Sequence, residues 1–224
     1  MAAIPLSGCA TNYYVLTNTY LDKTNYTTQM AKGSSFAVLT NQNAPNPIFD
    51  NEIRLKIEHL LSSNGYRVES GDKSDYFITF NYGISGRAKT EMWPNYVRGH
   101  DVVQRVYVSG SNTYYTVVSP GYEYVTYVPE TYTVYTAKIF LKALEADNLR
   151  KNKKEKVVWV GDTMNESANP NLRESIDYLL VATFKYFGKD TGKNQEVVLS
   201  PNDKEVLELR NPVQPFPVSH NKTD

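Results

Sequence analysis

Apolar residues recur at helical spacing in two segments of the chain, and both segments predict helices packed on a core. The first stripe runs through residues 49–61 and the second through residues 172–187. Asn46, followed by proline, is the expected N-cap of the first helix. Either Asn169, also followed by proline, or Asn171 with Glu174 begins the second. The expected stops are Gly65, after Asn64, and Gly188.

Apolar runs and period-two alternation predict β-strands over much of the remaining chain. The alternation is clearest at residues 76–84, where Tyr76, Ile78 and Phe80 share one face. Glycine, proline and asparagine clusters separate the runs, so a pair of hairpins is expected from the three runs 102–108, 113–118 and 122–128. Strands are predicted at 35–39, 66–68, 76–84, 102–108, 113–118, 122–128, 131–144, 156–161 and 196–199; a loop is predicted at 86–99 and a solvated basic turn at 150–154.

This order of elements predicts an α+β fold with an antiparallel or mixed sheet, two helices packed on one face and a long Tyr-rich hairpin insertion. Residues 10–32 are polar and predict a tether, although 13–16 and 26–30 also fit short strands. The predicted organisation is a signal-peptide remnant at 1–8, a lipidated cysteine and tether at 9–32, one domain at 33–190 with its insertion at 87–129, and a C-terminal extension at 191–224.

Composition narrows the classes of partner. Lysine plus arginine equals aspartate plus glutamate at 24 each, so no long-range field attracts nucleic acid or an anionic surface. No segment has the roughly 20 apolar residues that a membrane-spanning helix needs. The single cysteine, Cys9, excludes an internal disulfide framework. Membrane attachment, if present, is therefore covalent or peripheral.

Residues 6–9, Leu-Ser-Gly-Cys, resemble the lipobox of bacterial lipoproteins, in which the cysteine is acylated and becomes the mature N-terminus. A short apolar run precedes Cys9 and a polar stretch follows it. The resemblance implies three acyl chains on Cys9. Stable membrane anchoring needs at least two hydrophobic attachments, so three chains are sufficient. Ala10 stands where inner-membrane lipoproteins carry aspartate, so the resemblance implies the periplasmic side of the outer membrane.

Four motifs in a fixed order resemble an uncharacterised family of bacterial lipoproteins, the domain of unknown function 4136. They are the strand at 35–39, the Asn-Pro helix start at 46–54, the "Gly-Tyr" return to the sheet at 60–66 and the acidic residue before the strand at 75–80. The Val-Val-Trp-Val-Gly strand at 157–161 is similar to the family's late hairpin. The resemblance covers about residues 20 to 190 and implies an envelope-facing lipoprotein domain without catalytic residues to carry over.

Sequence patterns of known catalytic and metal sites are missing from the chain. The three histidines, His59, His100 and His220, have no metal-ligand spacing, and no nucleophile-elbow or phosphate-loop motif occurs. We therefore expect no enzyme activity, no metal and no cofactor. Two alternatives stay open: a hydrolase of cell-wall glycan or peptide, which needs two converging carboxylates near Trp93 or the tyrosines, and a small-ligand carrier, which needs an apolar cavity between sheet and helices.

The strongest functional candidate is the tyrosine-rich insertion beside Trp93. Exposed tyrosines are rigid, amphipathic contacts that suit a protein partner or a sugar ring, whereas tyrosines in cross-strand pairs only stabilise a hairpin. Exposure on one face favours another envelope protein or cell-wall glycan as partner; burial removes the support for binding. The candidate contact residues are Trp93, Tyr107, Tyr114, Tyr115, Tyr122, Tyr124 and Tyr127.

Overall fold

The computed structural model describes residues 12–24, 30–41, 44–110 and 113–211. The strands are β1 (Tyr13–Leu21), β2 (Ser35–Val38), β3 (Arg67–Val68), β4 (Tyr76–Arg98), β5 (Val102–Val108), β6 (Thr113–Ser119), β7 (Glu123–Glu145), β8 (Val157–Ser167) and β9 (Gln195–Leu199). The helices are α1 (Pro47–Ser63), α2 (Ala146–Asn152), α3 (Leu172–Phe184) and α4 (Lys204–Arg210). The chain divides into two compact units, of which the second is Arg87–Val134.

The first unit is built on a mixed sheet with the strand order β3-β2-β4-β7-β8-β1-β9. Strand β2 is parallel to β3 and β4. Strand β8 is antiparallel to β7 and β1, and β1 is antiparallel to β9. Together with the two-stranded sheet β5-β6 and four helices in the described residues, this confirms the predicted α+β class with a long strand insertion.

Helices α1 and α3 pack on one face of the sheet, and the main core lies between them and the strands. Ile53, Ile57 and Leu61 of α1 and Ile176, Leu179 and Leu180 of α3 are fully or almost fully buried there, against Ile78, Ile139 and Leu141 of the sheet. Both helices start as predicted. The Asn46 side chain accepts a hydrogen bond from the Phe49 amide, and the Asn171 side chain accepts one from the Glu174 amide.

The two helix ends differ in how well the sequence indicated them. Helix α1 is capped by Asn64, and Gly65 follows with a φ of 84°, in the left-handed region that favours glycine. Helix α3 ends at Phe184, before the predicted stop, and Gly188 with a φ of 72° lies in the turns that follow. Phe184 and Phe187 stack at 4.9 Å, so these turns still contribute to the core.

The first described segment corrects the predicted tether, because most of it is a strand inside the sheet. Strand β1 lies between β8 and β9, with Val15, Thr17 and Thr19 buried. The two threonines are tolerated there because their hydroxyls have partners: Thr17 Oγ1 lies 2.6 Å from Thr163 Oγ1, and Thr19 Oγ1 donates to the Lys189 carbonyl at 3.0 Å. The folded domain therefore begins before residue 33.

Gly161 of β8 lies directly against helix α3. A Cβ there would be 2.6 Å from the Trp159 ring and 2.8 Å from the Thr183 methyl group. Thr183 Oγ1 donates to Thr163 Oγ1 at 2.7 Å, so the same contact joins helix and strand by a hydrogen bond. The glycine of the Val-Trp-x-Gly pattern is thus required by packing.

Helix α2 replaces the basic turn predicted at 150–154. Arg150 is in its last turn and donates to the Gly71 and Ser74 carbonyls at 2.5 and 2.6 Å, while its guanidinium lies 5.1 Å from the Phe77 ring centre. Lys153, with a φ of 54°, reverses the chain after the helix. Arg150 is therefore a structural contact to the loop before β4, unlike the solvated side chain that we expected.

The predicted C-terminal extension also belongs to the fold. Strand β9 pairs with β1, and Val206 and Leu209 of α4 are buried in the main core. Helix α4 packs on α3, and Arg210 at its end donates to the Tyr178 hydroxyl. The domain thus continues to at least Arg210, beyond the predicted limit at residue 190.

Candidate functional site

The predicted lipidation site, Cys9, lies outside the described residues. The described chain begins with Asn12, directly before β1. No helix among residues 12–24, 30–41, 44–110 and 113–211 is long and apolar enough to cross a membrane. The covalent anchor therefore stays a prediction from the lipobox.

The candidate interaction surface is the second unit, Arg87–Val134. Its stem, which we define as residues 87–98 and 123–134, is an antiparallel pair formed by the end of β4 and the start of β7. The pairing follows from three hydrogen bonds: Gly99 N–H to the Tyr122 carbonyl at 3.0 Å, Thr126 Oγ1 to the Asn95 carbonyl at 3.3 Å, and Thr90 Oγ1 with Thr131 Oγ1 at 2.8 Å. Residues 87–98 are thus strand, which corrects the predicted loop at 86–99.

The stem leads into β5 and β6, which form an antiparallel two-stranded sheet, here called the tip sheet. Its register pairs Val102 with Ser119 and Val108 with Thr113. We predicted β5 and nearly all of β6 correctly, but expected 122–128 to form a hairpin with β6. In the structure that segment pairs with β4, so the β5-β6 hairpin lies between the two stem strands in the sequence.

Two glycines form the junction between stem and tip sheet. A Cβ on Gly121 would lie 2.0 Å from the Gly99 carbonyl oxygen, so only glycine permits this approach of the two chains. The Asp101 side chain accepts a hydrogen bond from the Gly121 amide at 3.1 Å. Beside the junction lies a groove of about 510 Å³, to which His100, Tyr122 and Tyr124 contribute. None of the residues that line this groove is a carboxylate.

The candidate aromatic residues with described side chains are exposed. The exposed fractions are 51% for Trp93, 91% for Tyr122, 53% for Tyr124 and 63% for Tyr127. These four side chains are therefore exposed, which is the first part of the condition for binding; the second part is that they share one face. The side chains of Tyr107, Tyr114 and Tyr115 lie outside the described part of the unit.

These aromatic residues do not share a single face of the stem. Tyr124 and Tyr127 are three positions apart in β7, so strand alternation directs them to opposite faces. The sequence analysis also missed other exposed apolar residues of the unit, which make both faces apolar: Met92, Tyr96, Val102, Val103, Val106, Val117, Val118, Val125 and Val128. A count of valines in the predicted strands, and not only of tyrosines, would have identified the valines of this set but not their exposure.

Near the first unit, the stem carries charges that are paired locally. Lys89 Nζ lies 2.7 Å from Glu91 Oε1, and this hydrogen bond, with a smaller contribution from Tyr132, lowers the pKa of the Glu91 carboxyl. Arg98 and Asp101 lie 3.6 Å apart at the other end of the stem. A carboxylate with a lowered pKa and an adjacent lysine is a poor general acid.

A second group of charged residues joins α1 to α3 in the first unit. Lys56 Nζ lies 2.6 Å from Asp177 Oδ1 and 2.8 Å from Glu52 Oε1, and Arg173 contacts Glu52 at 2.5 Å. Burial raises the pKa of Asp177, against the opposing effect of Lys56. A groove of about 410 Å³ opens beside these groups, with Ile48 and Leu209 in its lining. All four charged groups are paired with one another, and their role is to hold two helices together.

Two stacked tyrosines join helix α3 to strand β1. The Tyr13 and Tyr178 rings lie 3.7 Å apart and nearly parallel, and the Tyr13 hydroxyl donates to Glu174 at 2.9 Å. Burial, followed by the hydrogen bond to Glu174, raises the pKa of Tyr13 to about 12. The pKa of Tyr82 is raised to about 12 as well, by burial and then by its hydrogen bond to Asp50 at 2.9 Å.

The two histidines of the described residues, His59 and His100, belong to different units. His59 on α1 lies 3.8 Å from Glu208 on α4, and His100 lies at the groove of the second unit. His220 is outside the described residues. Within the described ranges, no group of three or more histidine, cysteine, aspartate or glutamate side chains converges on a possible metal position.

The space between sheet and helices, where a small-ligand carrier would need a cavity, is filled by large side chains. Trp159 and Phe187 meet at 4.7 Å, and Trp159 donates its indole N–H to the Lys189 carbonyl at 3.0 Å. On the opposite face of the sheet, a shallow depression of about 400 Å³ is lined by Asn81, Lys138, Phe140 and Asp162 among others. That depression is open to solvent and mixed in polarity.

No family model matches the chain, and no curated protein matches it either. Among solved structures, the chain is similar to a PDZ domain protein from Parabacteroides distasonis, with 14% identity, a TM-score of 0.46 and 85% of this chain covered. The chain spans 40% of the length of that protein. It is also similar to a PelC dodecamer from Paraburkholderia phytofirmans, with 10% identity, a TM-score of 0.38 and coverage of 75% of this chain and 93% of that one.

Proposed function

We propose that the chain is a lipid-anchored protein of the bacterial cell envelope, attached through Cys9 to the periplasmic side of the outer membrane. The lipobox-like residues 6–9 and the motifs that resemble the lipoprotein family of unknown function 4136 support this role. Acylation of Cys9 would supply the hydrophobic attachment, since no described helix is a membrane span. The first unit would then act as the folded body next to the anchor.

Within this role, the second unit is a non-catalytic interaction surface for protein. The observation that carries this proposal is the exposure of Trp93, Tyr122, Tyr124 and Tyr127 together with valines on both faces of a two-stranded structure. Exposed apolar area of this kind is characteristic of interaction sites. Exposed valines beside open strand edges suit another protein, because a strand of the partner can add to such an edge.

The experiment that tests this proposal is a fractionation of cells that express the protein from its native locus. We expect it in the outer-membrane fraction, with an intact mass of a chain that begins at Cys9 and carries three acyl groups. A Cys9→Ala variant should leave that fraction. An unmodified chain in the soluble fraction would contradict the anchor and reopen the question of compartment.

A second readout of the same preparation separates protein from glycan as partner. Co-sedimentation with isolated cell-wall glycan is compared for the unaltered protein, a Trp93→Ala, Tyr124→Ala double variant and a matched Tyr14→Ala control; Tyr14 is a similarly exposed tyrosine on β1 of the first unit. We expect no glycan binding that depends on the insertion. Binding that is lost only in the double variant would assign the surface to glycan.

A further inference from the structure

The outer edges of the stem are interrupted by proline. In an antiparallel pair, backbone groups point alternately toward the partner strand and away from it. The Gly99 amide donates to the Tyr122 carbonyl, so the backbone groups of odd-numbered β4 residues and even-numbered β7 residues face the partner strand. The backbone groups of the even-numbered residues of β4 and the odd-numbered residues of β7 therefore face the outer edges of the stem. Pro94 and Pro129 both occupy such outward positions. Each removes one N–H donor from its edge, a common protection against strand addition.

The tip sheet has no such protection. Strands β5 and β6 contain no proline, and within the described residues each has only the other as a neighbour. Val102 and Val106 on one face and Val103 and Val118 on the other are exposed. An isolated two-stranded sheet is marginally stable in water, whereas three or more strands with an apolar face are stable. The tip sheet is therefore open to the addition of further strands.

We propose that β6 pairs antiparallel with β6 of a second copy of this chain, about a two-fold axis at Thr116. This register uses the whole strand: Tyr115 is opposite Val117, Tyr114 is opposite Val118, and Thr116 is opposite itself. Aromatic with β-branched residues and threonine with threonine are favourable cross-strand pairs. The two tip sheets become one four-stranded sheet, in the order β5-β6-β6-β5.

Strand β5 is a poorer choice for the same pairing. Its central residue is Arg105, so a two-fold axis at the middle of β5 would place two arginines opposite each other, which is unfavourable. Strand β6 carries no charged residue. The charge distribution across the strands thus selects β6.

The charge of the second unit favours a second copy over a partner of opposite charge. Its residues carry no net charge, because four basic side chains balance four acidic ones: Arg87, Lys89, Arg98 and Arg105 against Glu91, Asp101, Glu123 and Glu130. No acidic or basic partner is selected by such a surface, and self-association meets no net repulsion. The inference rests on the proposed role of this unit as an interaction surface and names its partner.

The test uses the full chain with Cys9→Ser, so that neither acylation nor a disulfide contributes, and measures sedimentation velocity over a wide range of concentrations. We expect a monomer–dimer equilibrium. Thr116→Glu places two carboxylates opposite each other at the axis and should raise the dimer Kd at least about fivefold. Within its own hairpin the new glutamate is opposite Arg105, a favourable pair, so a weaker dimer is not explained by a disrupted tip sheet.

Three comparisons make the result specific to self-pairing at Thr116. Thr116→Gln, of the same size without charge, and Gln104→Glu, the same charge on exposed β5, should leave the dimer Kd within about twofold of the unaltered value. A mixture of Thr116→Glu with unaltered chain should form the mixed dimer normally, since glutamate then faces threonine.

Each contrary result overturns the inference. A monomer at all concentrations, an equal effect of Gln104→Glu, or mixed dimers as weak as Thr116→Glu dimers would exclude pairing through β6 at this axis. None of these results alters the mass or fractionation of the acylated protein, so the failure of the dimer and the failure of the anchor are separate observations.

Discussion

The buried ion pair between Lys56 on α1 and Asp177 on α3 allows a quantitative prediction. The side chains are 6% and 5% exposed and their charged atoms are 2.6 Å apart. We predict that Lys56→Met, which preserves the apolar stem of the side chain, lowers the free energy of unfolding by about 3 kcal/mol. Asp177 is then a buried carboxylate whose remaining cationic neighbour is Arg210, at the longer distance of 4.0 Å. For a chain of this size that loss lowers Tm by on the order of 10 °C.

Replacing both partners should cost much less than the sum of the single changes. In the double variant Lys56→Met, Asp177→Leu, two apolar side chains of similar volume occupy the space, and such replacements are often neutral. Glu52 keeps Arg173 as its partner at 2.5 Å, so it is not left unpaired. We expect the double variant to recover at least about 2 kcal/mol relative to Lys56→Met.

Urea denaturation followed by circular dichroism gives the free energies of unfolding for this double-mutant cycle. The matched control is Lys151→Met, which removes a lysine from an exposed pair with Asp147 at 2.8 Å and should cost less than about 0.5 kcal/mol. The reasoning is refuted if Lys56→Met costs no more than the control, or if the two single effects add in the double variant.

Two further predictions concern packing and alkaline stability. Gly161→Ala should lower the free energy of unfolding by about 1–3 kcal/mol through its clash with helix α3. The control is Gly83→Ala, where a Cβ meets nothing within 4 Å, and it should change the free energy of unfolding by less than about 1 kcal/mol. Equal effects of the two substitutions in urea denaturation would contradict the packing argument. The pKa values of Tyr13 and Tyr82, raised from 10.0 to about 12, mean that their stabilising contribution is complete below pH 10 and is lost as pH rises from about 10 to 12. Denaturation over this pH range should show a shallower loss in the Tyr13→Phe, Tyr82→Phe variant, and an unchanged slope would oppose the raised pKa values.

Local rules predicted the parts of the fold that local chemistry determines. The N-cap Asn46, the N-cap Asn171 as one of two candidates, and the glycine after α1 were predicted because side-chain capping and positive φ leave a signature within four residues. Strand β1 was assigned to a tether because its buried face contains Thr17 and Thr19. Their partners, Thr163 and the Lys189 carbonyl, are more than 140 positions away, and no window along the chain shows them.

The insertion was found from composition, but its structure was not. Trp93-Pro94 indicated a loop because proline removes a hydrogen-bond donor from a sheet. In the structure the backbone nitrogen of Pro94 faces the outer edge of the stem, so no hydrogen bond between the two stem strands is lost. Exposure could not be derived either, because alternating tyrosine and valine have the same pattern on a buried and on an unpaired strand. The aromatic residues therefore lie in the predicted insertion, while their division between two faces depends on the pairing of β4 with β7.

The position of β1 between β8 and β9 has a consequence for how the chain folds. Both neighbours of the first strand are made last, with Val15 opposite Asn165 on one side and Val197 on the other. Contacts of such sequence separation give a high contact order. Proteins of this kind fold slowly because the entropy of closing a long loop is lost before the strand pairing can stabilise the chain. During synthesis, β1 stays without its sheet partners until β8, more than 130 residues further along the chain, has been made. Its apolar face is therefore without its sheet neighbours for longer than that of any other strand in the described residues.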